Sequence, residues 1–112
     1  MERLIFPYFT YTNPPESLFP KKIKSAYIYT MNIPEEQVEE YGYKLQFTNN
    51  KQLLSLLFGS SESFMSYDTY QFKDYSRFVS ERFDPKHKAQ HREEQFPKDL
   101  EGAFEMGIRM TK

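Results

Sequence analysis

The chain has 112 residues, of which 38% are hydrophobic and 28% charged, a size that fits one small domain or part of one and excludes a second. Its net charge of -1 disfavours nucleic-acid binding, and no apolar run approaches the roughly 18 residues of a membrane span. The absence of cysteine excludes thiol catalysis and cysteine-ligated metal centres, and only four glycines leave no Walker loop or dinucleotide fingerprint. Because the apolar start of the chain is short and soon broken by Pro7, we expect no signal peptide and a cytoplasmic protein.

Residues 1–22 are predicted to be a helix end followed by a proline-rich loop. Only Glu2 to Phe6 can continue a helix, and the sequence Asn13-Pro14-Pro15 opposes helix in the residues before each proline. The rest of the chain, 23–112, carries the pattern of alternating strands and helices.

A first strand is predicted over Ile23–Met31, which becomes a continuous apolar, β-favouring run from Ala26 onward. This pattern is typical of a strand buried on both faces, as in a parallel sheet. Asn32 then suits a helix N-cap, since proline and two glutamates follow it.

Two helices are predicted next. The first has Val38, Tyr41 and Leu45 on one face, and Thr48-Asn49-Asn50 caps the second. Gly59 suits the C-cap of the second helix. Its apolar residues are Leu53, Leu54, Leu57 and Phe58.

The second half of the chain predicts a strand over Ser63–Phe72, rich in aromatic residues, and a helix that begins after Asp74. That helix restarts at Asp84-Pro85, and a last helix begins at about Pro97. The apolar faces of the helices after Asp74 and Pro97 are Tyr75, Phe78, Val79 and Phe83, and Leu100, Ala103, Phe104 and Ile108.

The order strand, helices, strand, helix indicates an α/β fold with parallel strands. Two parallel strands make a poor sheet by themselves, because parallel sheets are covered by helices on both faces. We therefore expect about half of a doubly wound sheet (β-α-α-β-α), completed by further strands or by a second copy of the chain.

Three groups of residues are candidates for chemistry, and each has a structural alternative. His87 and His91 have the spacing of two metal ligands on one helix face, but their basic neighbours favour a solvated charged face. An acid–base pair is open to Asp68 with Asp74, or Glu35 with Glu36, although helix capping and first-turn positions explain most of these acids. The tyrosine-rich segments 27–29 and 67–70 suit a flat ligand pocket, an interface or a core.

Several segments together resemble the C-terminal half of flavodoxin-like NAD(P)H-dependent FMN reductases, in the branch related to iron–sulfur flavoproteins but without its cysteines. The resemblance covers nearly the whole chain. It is carried by Phe19-Pro20-Lys21-Lys22-Ile23-Lys24, Tyr27-Ile28-Tyr29-Thr30-Met31-Asn32, Asp68-Thr69-Tyr70-Gln71-Phe72-Lys73-Asp74-Tyr75, Arg92-Glu93-Glu94-Gln95-Phe96-Pro97-Lys98-Asp99-Leu100, Ala103-Phe104 and Gly107.

The resemblance implies that Ile23–Met31 is strand four and Phe64–Phe72 strand five of a five-stranded sheet. It also implies FMN as cofactor, with Thr30, Met31 and Asn32 near the isoalloxazine ring, while the phosphate-binding loop has no counterpart in these residues. The alternative for Asn32 is a plain N-cap.

The implied function is electron transfer from NAD(P)H through FMN to a quinone or other small acceptor, by a protein of which this chain is the C-terminal portion. We expect the chain alone to be inactive and to need the missing N-terminal half or a homo-oligomer. The alternatives are a non-catalytic interaction module that binds through its sheet edge and aromatic surface, and an unrelated small enzyme or nucleic-acid binder.

Overall fold

The computed structural model describes residues 1–112. It contains two strands and four helices, with short 3-10 turns at 6–8, 35–37 and 75–77. We label the elements α1 (Glu2–Ile5), β1 (Ile23–Thr30), α2 (Tyr43–Phe58), β2 (Gly59–Ser66), α3 (Pro85–Glu94) and α4 (Phe96–Thr111). None of these helices combines the length and the apolar character that a membrane crossing requires.

The strands β1 and β2 form a two-stranded parallel sheet, and α2 lies between them in the chain. This confirms the predicted parallel pairing and is consistent with an incomplete α/β fold. The predicted limits of the second strand are wrong, since β2 ends at Ser66 rather than at Phe72. Asp68 has a left-handed backbone (φ 52°), which turns the chain out of the sheet before Tyr70 and Phe72, two of the aromatic residues that favoured a longer strand.

The connection between the strands differs from the predicted pair of helices. Residues 35–37 form only a 3-10 turn, and α2 begins after Gly42, which has a φ of 75°. The predicted cap at Thr48 is wrong, because its hydroxyl donates to the Lys44 carbonyl one turn earlier and the helix continues through it. The predicted C-cap is confirmed: Gly59 is left-handed, and its N–H donates to the Ser55 carbonyl.

The predicted helix after Asp74 is also wrong. Beyond the 3-10 turn the chain is extended at Phe78, with φ of -123° and ψ of 137°. The Phe78 ring stacks on Phe72 with a centroid distance of 3.9 Å, and Tyr75 meets Phe83 edge to face. Aromatic contacts along an irregular segment thus replace the predicted helical face. The predicted helix start at Asp84-Pro85 is confirmed, since Asp84 accepts a hydrogen bond from the Lys86 N–H at 2.9 Å and α3 follows.

The chain divides into two compact units. The first comprises Met1–Tyr27 and Gly42–Ser63, and the second Ile28–Tyr41 and Phe64–Lys112. The core of the first unit contains Ile5, Leu54 and Leu57.

The core of the second unit contains Ile33, Val38 and Met106. The helix α4 begins within one residue of its predicted start, but its predicted apolar face is not the buried one. Leu100 and Phe104 are exposed, while Gly102 lies against the Phe64 ring. The close approach at this glycine selects which face of α4 is buried.

Candidate functional site

The carboxyl ends of β1 and β2 lie side by side in the second unit. The Met31 N–H donates to the Ser66 carbonyl at 3.1 Å, and the Thr69 N–H donates back to the Met31 carbonyl at 2.9 Å. The Asp68 N–H donates to the Ile33 carbonyl at 2.9 Å, so the two segments that follow the strands are also joined. Ligands of open parallel sheets bind at this end of the strands.

Of the three residues predicted to lie near a flavin, Thr30 ends β1, and Met31 and Asn32 follow it. Thr30 is exposed, and both backbone groups of Met31 are used in pairing with the second strand segment. Asn32 is not an N-cap, because its side-chain NH₂ donates to Gln71 Oε1 at 2.6 Å. The backbone N–H groups of Asn32 and Ile33 donate no hydrogen bond within the chain.

A buried ion pair holds the segments after the two strands. Lys88 is 2% exposed, and its Nζ lies 2.6 Å from Asp68 Oδ1. The same ammonium donates to the Asn32 carbonyl and, at 3.2 Å, to the Thr69 carbonyl. All three ammonium hydrogens therefore have acceptors, which offsets the cost of burying the charge.

His87 lies beside this pair. Its Nδ1 is 3.0 Å from Asp68 Oδ2, yet this buried oxygen accepts no hydrogen bond. His87 is 62% exposed, and its ring centroid is 6.4 Å from that of His91. No group of three or more His, Asp or Glu side chains is arranged to hold a metal ion, so the geometry gives no support to a metal site at the two histidines.

A cavity of about 310 Å³ opens at the same end of the sheet. Its wall holds four carboxylates and no lysine or arginine. The lining residues are Pro34, Glu35, Glu36, Tyr67, Asp68, His87, His91, Gln95 and Asp99.

The carboxylates of the wall differ in their hydrogen bonds and in their exposure. Asp99 accepts from the Ser66 hydroxyl at 2.6 Å and from the Gln95 side-chain amide at 2.9 Å. Glu35 and Glu36 are exposed in the first turn of the 3-10 segment. Burial raises the pKa of Tyr67, and the negative charge of Glu35 raises it further.

The predicted acid–base partner of Asp68 has a structural role instead. The Asp74 carboxylate accepts hydrogen bonds from the Ser76 hydroxyl at 2.7 Å and the Ser76 N–H at 3.0 Å. These bonds lower the pKa of Asp74. This residue is exposed and caps the 3-10 turn, and it does not line the cavity.

No protein-family model, curated protein or solved structure matches this chain. The function proposed below therefore depends on the residue pattern and on the geometry of the strand ends.

Sequence reasoning missed Lys88 and placed no weight on its pairing with Asp68. Lys88 lies in a polar segment between His87 and His91 and two residues after Lys86, where an exposed side chain is the ordinary expectation. One signal was available: Asp68 lies within the predicted strand over Ser63–Phe72, and an acid that is buried in a sheet needs a partner.

A second hollow of about 320 Å³ contains part of the predicted tyrosine-rich segment. It is lined by Tyr70, Gln71, Phe72, Lys73 and Arg92. The Arg92 guanidinium lies 4.9 Å from the Tyr70 ring centroid and 5.3 Å from that of Phe96. Cation–π contacts with Arg92 thus hold the Tyr70 ring in the wall of this second hollow.

Proposed function

We propose that the chain is the C-terminal portion of a flavodoxin-like oxidoreductase that passes electrons from NAD(P)H through FMN to a quinone or other small acceptor. The observation that carries this proposal is the parallel pairing of β1 and β2, with two unengaged backbone amides where β1 ends. The family resemblance of the same residues supports it.

The proposed role of the β1 end is to bind the edge of the isoalloxazine ring. That ring presents nitrogen and carbonyl acceptors, which suit the backbone N–H groups of Asn32 and Ile33 and the hydroxyl of Thr30. Lys88 and Gln71 hold Asn32 by its carbonyl and its side chain. These contacts keep the donors in a fixed position before the ligand arrives.

The chain alone lacks the second half of such a site. Tight FMN binding needs a phosphate loop of backbone amides at a helix N-terminus, and the residue pattern contains none. One or two hydrogen bonds contribute about 1 kcal/mol each, against an association cost of several kcal/mol. We therefore expect the purified chain to be colourless and inactive with NAD(P)H.

Titration of the isotope-labelled chain with riboflavin and with FMN tests the ring contact. Because only the ring is bound, both flavins should shift the Asn32 and Ile33 amide signals equally, at millimolar concentration. Asn32→Ala should reduce these shifts, whereas Asn49→Ala, at an exposed position of α2, should leave them unchanged. A submicromolar dissociation constant for FMN together with a yellow purified chain would contradict the proposal. So would unchanged amide signals of Asn32 and Ile33 during the titration.

Joining the chain to the three preceding strands of a flavodoxin-like fold tests the enzyme activity. The joined protein should bind FMN tightly and oxidise NAD(P)H, because the phosphate loop follows the first strand of that fold. Failure to bind FMN with a correctly folded sheet would exclude the oxidoreductase.

The second candidate is an interaction module. The exposed Leu100 and Phe104 on α4 favour it, since they form an uncovered apolar surface. A gene that encodes no further strands before Met1, in frame or adjacent, would favour the module over the oxidoreductase.

A further inference from the structure

We propose that the cavity beside Asp68 binds a small organic cation of the primary ammonium class. The lining of this cavity does not include Thr30, Asn32 or Ile33, the residues proposed to bind the flavin ring. The inference therefore does not rest on the flavin proposal and is tested on the chain alone.

The charge of the wall selects a cation. Glu35, Glu36, Asp68 and Asp99 line the cavity without any lysine or arginine. Lys88 lies behind Asp68 and is fully used by three oxygen acceptors. The negative charge of Glu35 also raises the pKa of Tyr67, after the larger effect of burial, so this charge is felt at a second lining side chain.

A buried and incompletely satisfied oxygen gives the cavity an attachment point. The Asp68 side chain is 5% exposed, and its Oδ1 accepts from Lys88 while its Oδ2 accepts from no donor. A buried carboxylate oxygen without a hydrogen bond is costly, and a donor that reaches it recovers this cost.

The group that covers this oxygen can move. The His87 ring lies against Oδ2, and His87 is 62% exposed in the first turn of α3. Exposed side chains change rotamer within nanoseconds. An incoming ammonium can therefore take the place of the ring beside Oδ2.

The size and the ligand geometry favour an organic ammonium over a metal ion. The cavity of about 310 Å³ equals roughly ten water volumes. A divalent ion needs several ligands at fixed short distances, and no such group of side chains is present. An ammonium needs one strong acceptor and a negative surrounding, and it brings three donors.

The test uses butylammonium as probe, with butanol and butyrate as neutral and anionic controls of the same length. We expect millimolar butylammonium, in low salt, to shift the Asp68 and His91 signals and to saturate, and neither control to do so. Asp68→Asn should weaken binding at least 10-fold. Asp74→Asn makes the same charge change outside the cavity and should leave binding unchanged.

Because Asp68→Asn leaves Lys88 without its counterion and can unfold the chain, a second variant keeps the test decisive. Glu35→Gln with Glu36→Gln changes only exposed residues and should weaken butylammonium binding several-fold, whereas His87→Ala should preserve or strengthen it. Equal responses to butylammonium and butanol would overturn the proposal. So would saturation by butyrate, or unchanged binding in the double glutamine variant.

Discussion

At the scale of single residues, Lys88 is the side chain that most constrains the candidate site. Its ammonium joins Asp68, which follows β2, to the carbonyls of Asn32, which follows β1, and of Thr69. The long lysine stem reaches this point from α3, whose other side chains are largely exposed. One residue thus ties the ends of both strands to a helix that is distant in the chain.

Removal of this ammonium should strongly destabilise the second unit. We expect Lys88→Met to lower the free energy of unfolding by about 3–5 kcal/mol, because Asp68 would remain buried without a counterion. Urea denaturation measures this change. Lys86→Met, on the exposed start of the same helix, should cost less than about 0.5 kcal/mol. Equal stability of the two variants would contradict the role assigned to Lys88.

Tyr67 gives a pH-dependent signal from the cavity wall. Its raised pKa means that folding favours the neutral phenol, so its contribution to stability is full below pH 10 and is lost as the pH rises through the folded-state pKa. Carbon-13 labelling of the tyrosine rings should show Tyr67 titrating above 10. Glu35→Gln should lower this pKa only partly, since burial is the larger cause, and Glu39→Gln serves as the control. A Tyr67 pKa below 10 would contradict this account.

At the scale of elements, α4 shows how one contact selects the buried face of a helix. Its apolar residues occupy more than one side, and the sequence pattern favours the stripe through Leu100 and Phe104. The structure buries Asp99 and Met106 instead, with Gly102 against Phe64. Asp99 tolerates burial because the hydroxyl of Ser66 and the amide of Gln95 donate to it.

The two glycines of α4 make a matched pair for testing this packing. A Cβ at Gly102 would lie 2.6 Å from the Phe64 ring, whereas a Cβ at Gly107 meets nothing within 4 Å. Gly102→Ala should therefore destabilise the chain by about 1–3 kcal/mol through overpacking. Gly107→Ala should stabilise it by about 0.5–1 kcal/mol, because alanine favours helix. Thermal unfolding of both variants gives the comparison, and a stabilising Gly102→Ala would show that α4 packs differently.

At the scale of the whole molecule, the sheet has only two strands, which is consistent with an incomplete α/β fold. A two-stranded parallel sheet is marginal in water. Ile28 on β1 and Phe104 on α4 are exposed apolar residues of the second unit. The small size of the sheet and these exposed side chains favour association with further strands.

We expect the chain to self-associate or to require a partner. Sedimentation at micromolar concentration should show species larger than a monomer, and Ile28→Lys should reduce their amount by placing a charge on β1. Val79→Lys, at a fully exposed position outside the sheet, is the control and should have no effect. A compact monomer that unfolds cooperatively at these concentrations would refute this prediction.

The sequence by itself determined the features that depend on neighbouring residues. These are the C-cap at Gly59, the helix start at Asp84-Pro85 and the start of α4 near Pro97. Each follows from backbone conformation or from hydrogen bonds to residues close in the chain. The strand-helix-strand order also predicted the parallel pairing, because a helical crossover connects parallel strands.

Only the tertiary structure decided the end of β2, the irregular aromatic segment after Asp74, and the bonding of Asn32 to Gln71. It also decided the burial of Lys88 with Asp68, on which the candidate site depends. These features join residues that are distant in the chain, so local propensity carries no information about them. A buried charge is stable only where its acceptors converge, and that convergence exists only in the folded chain.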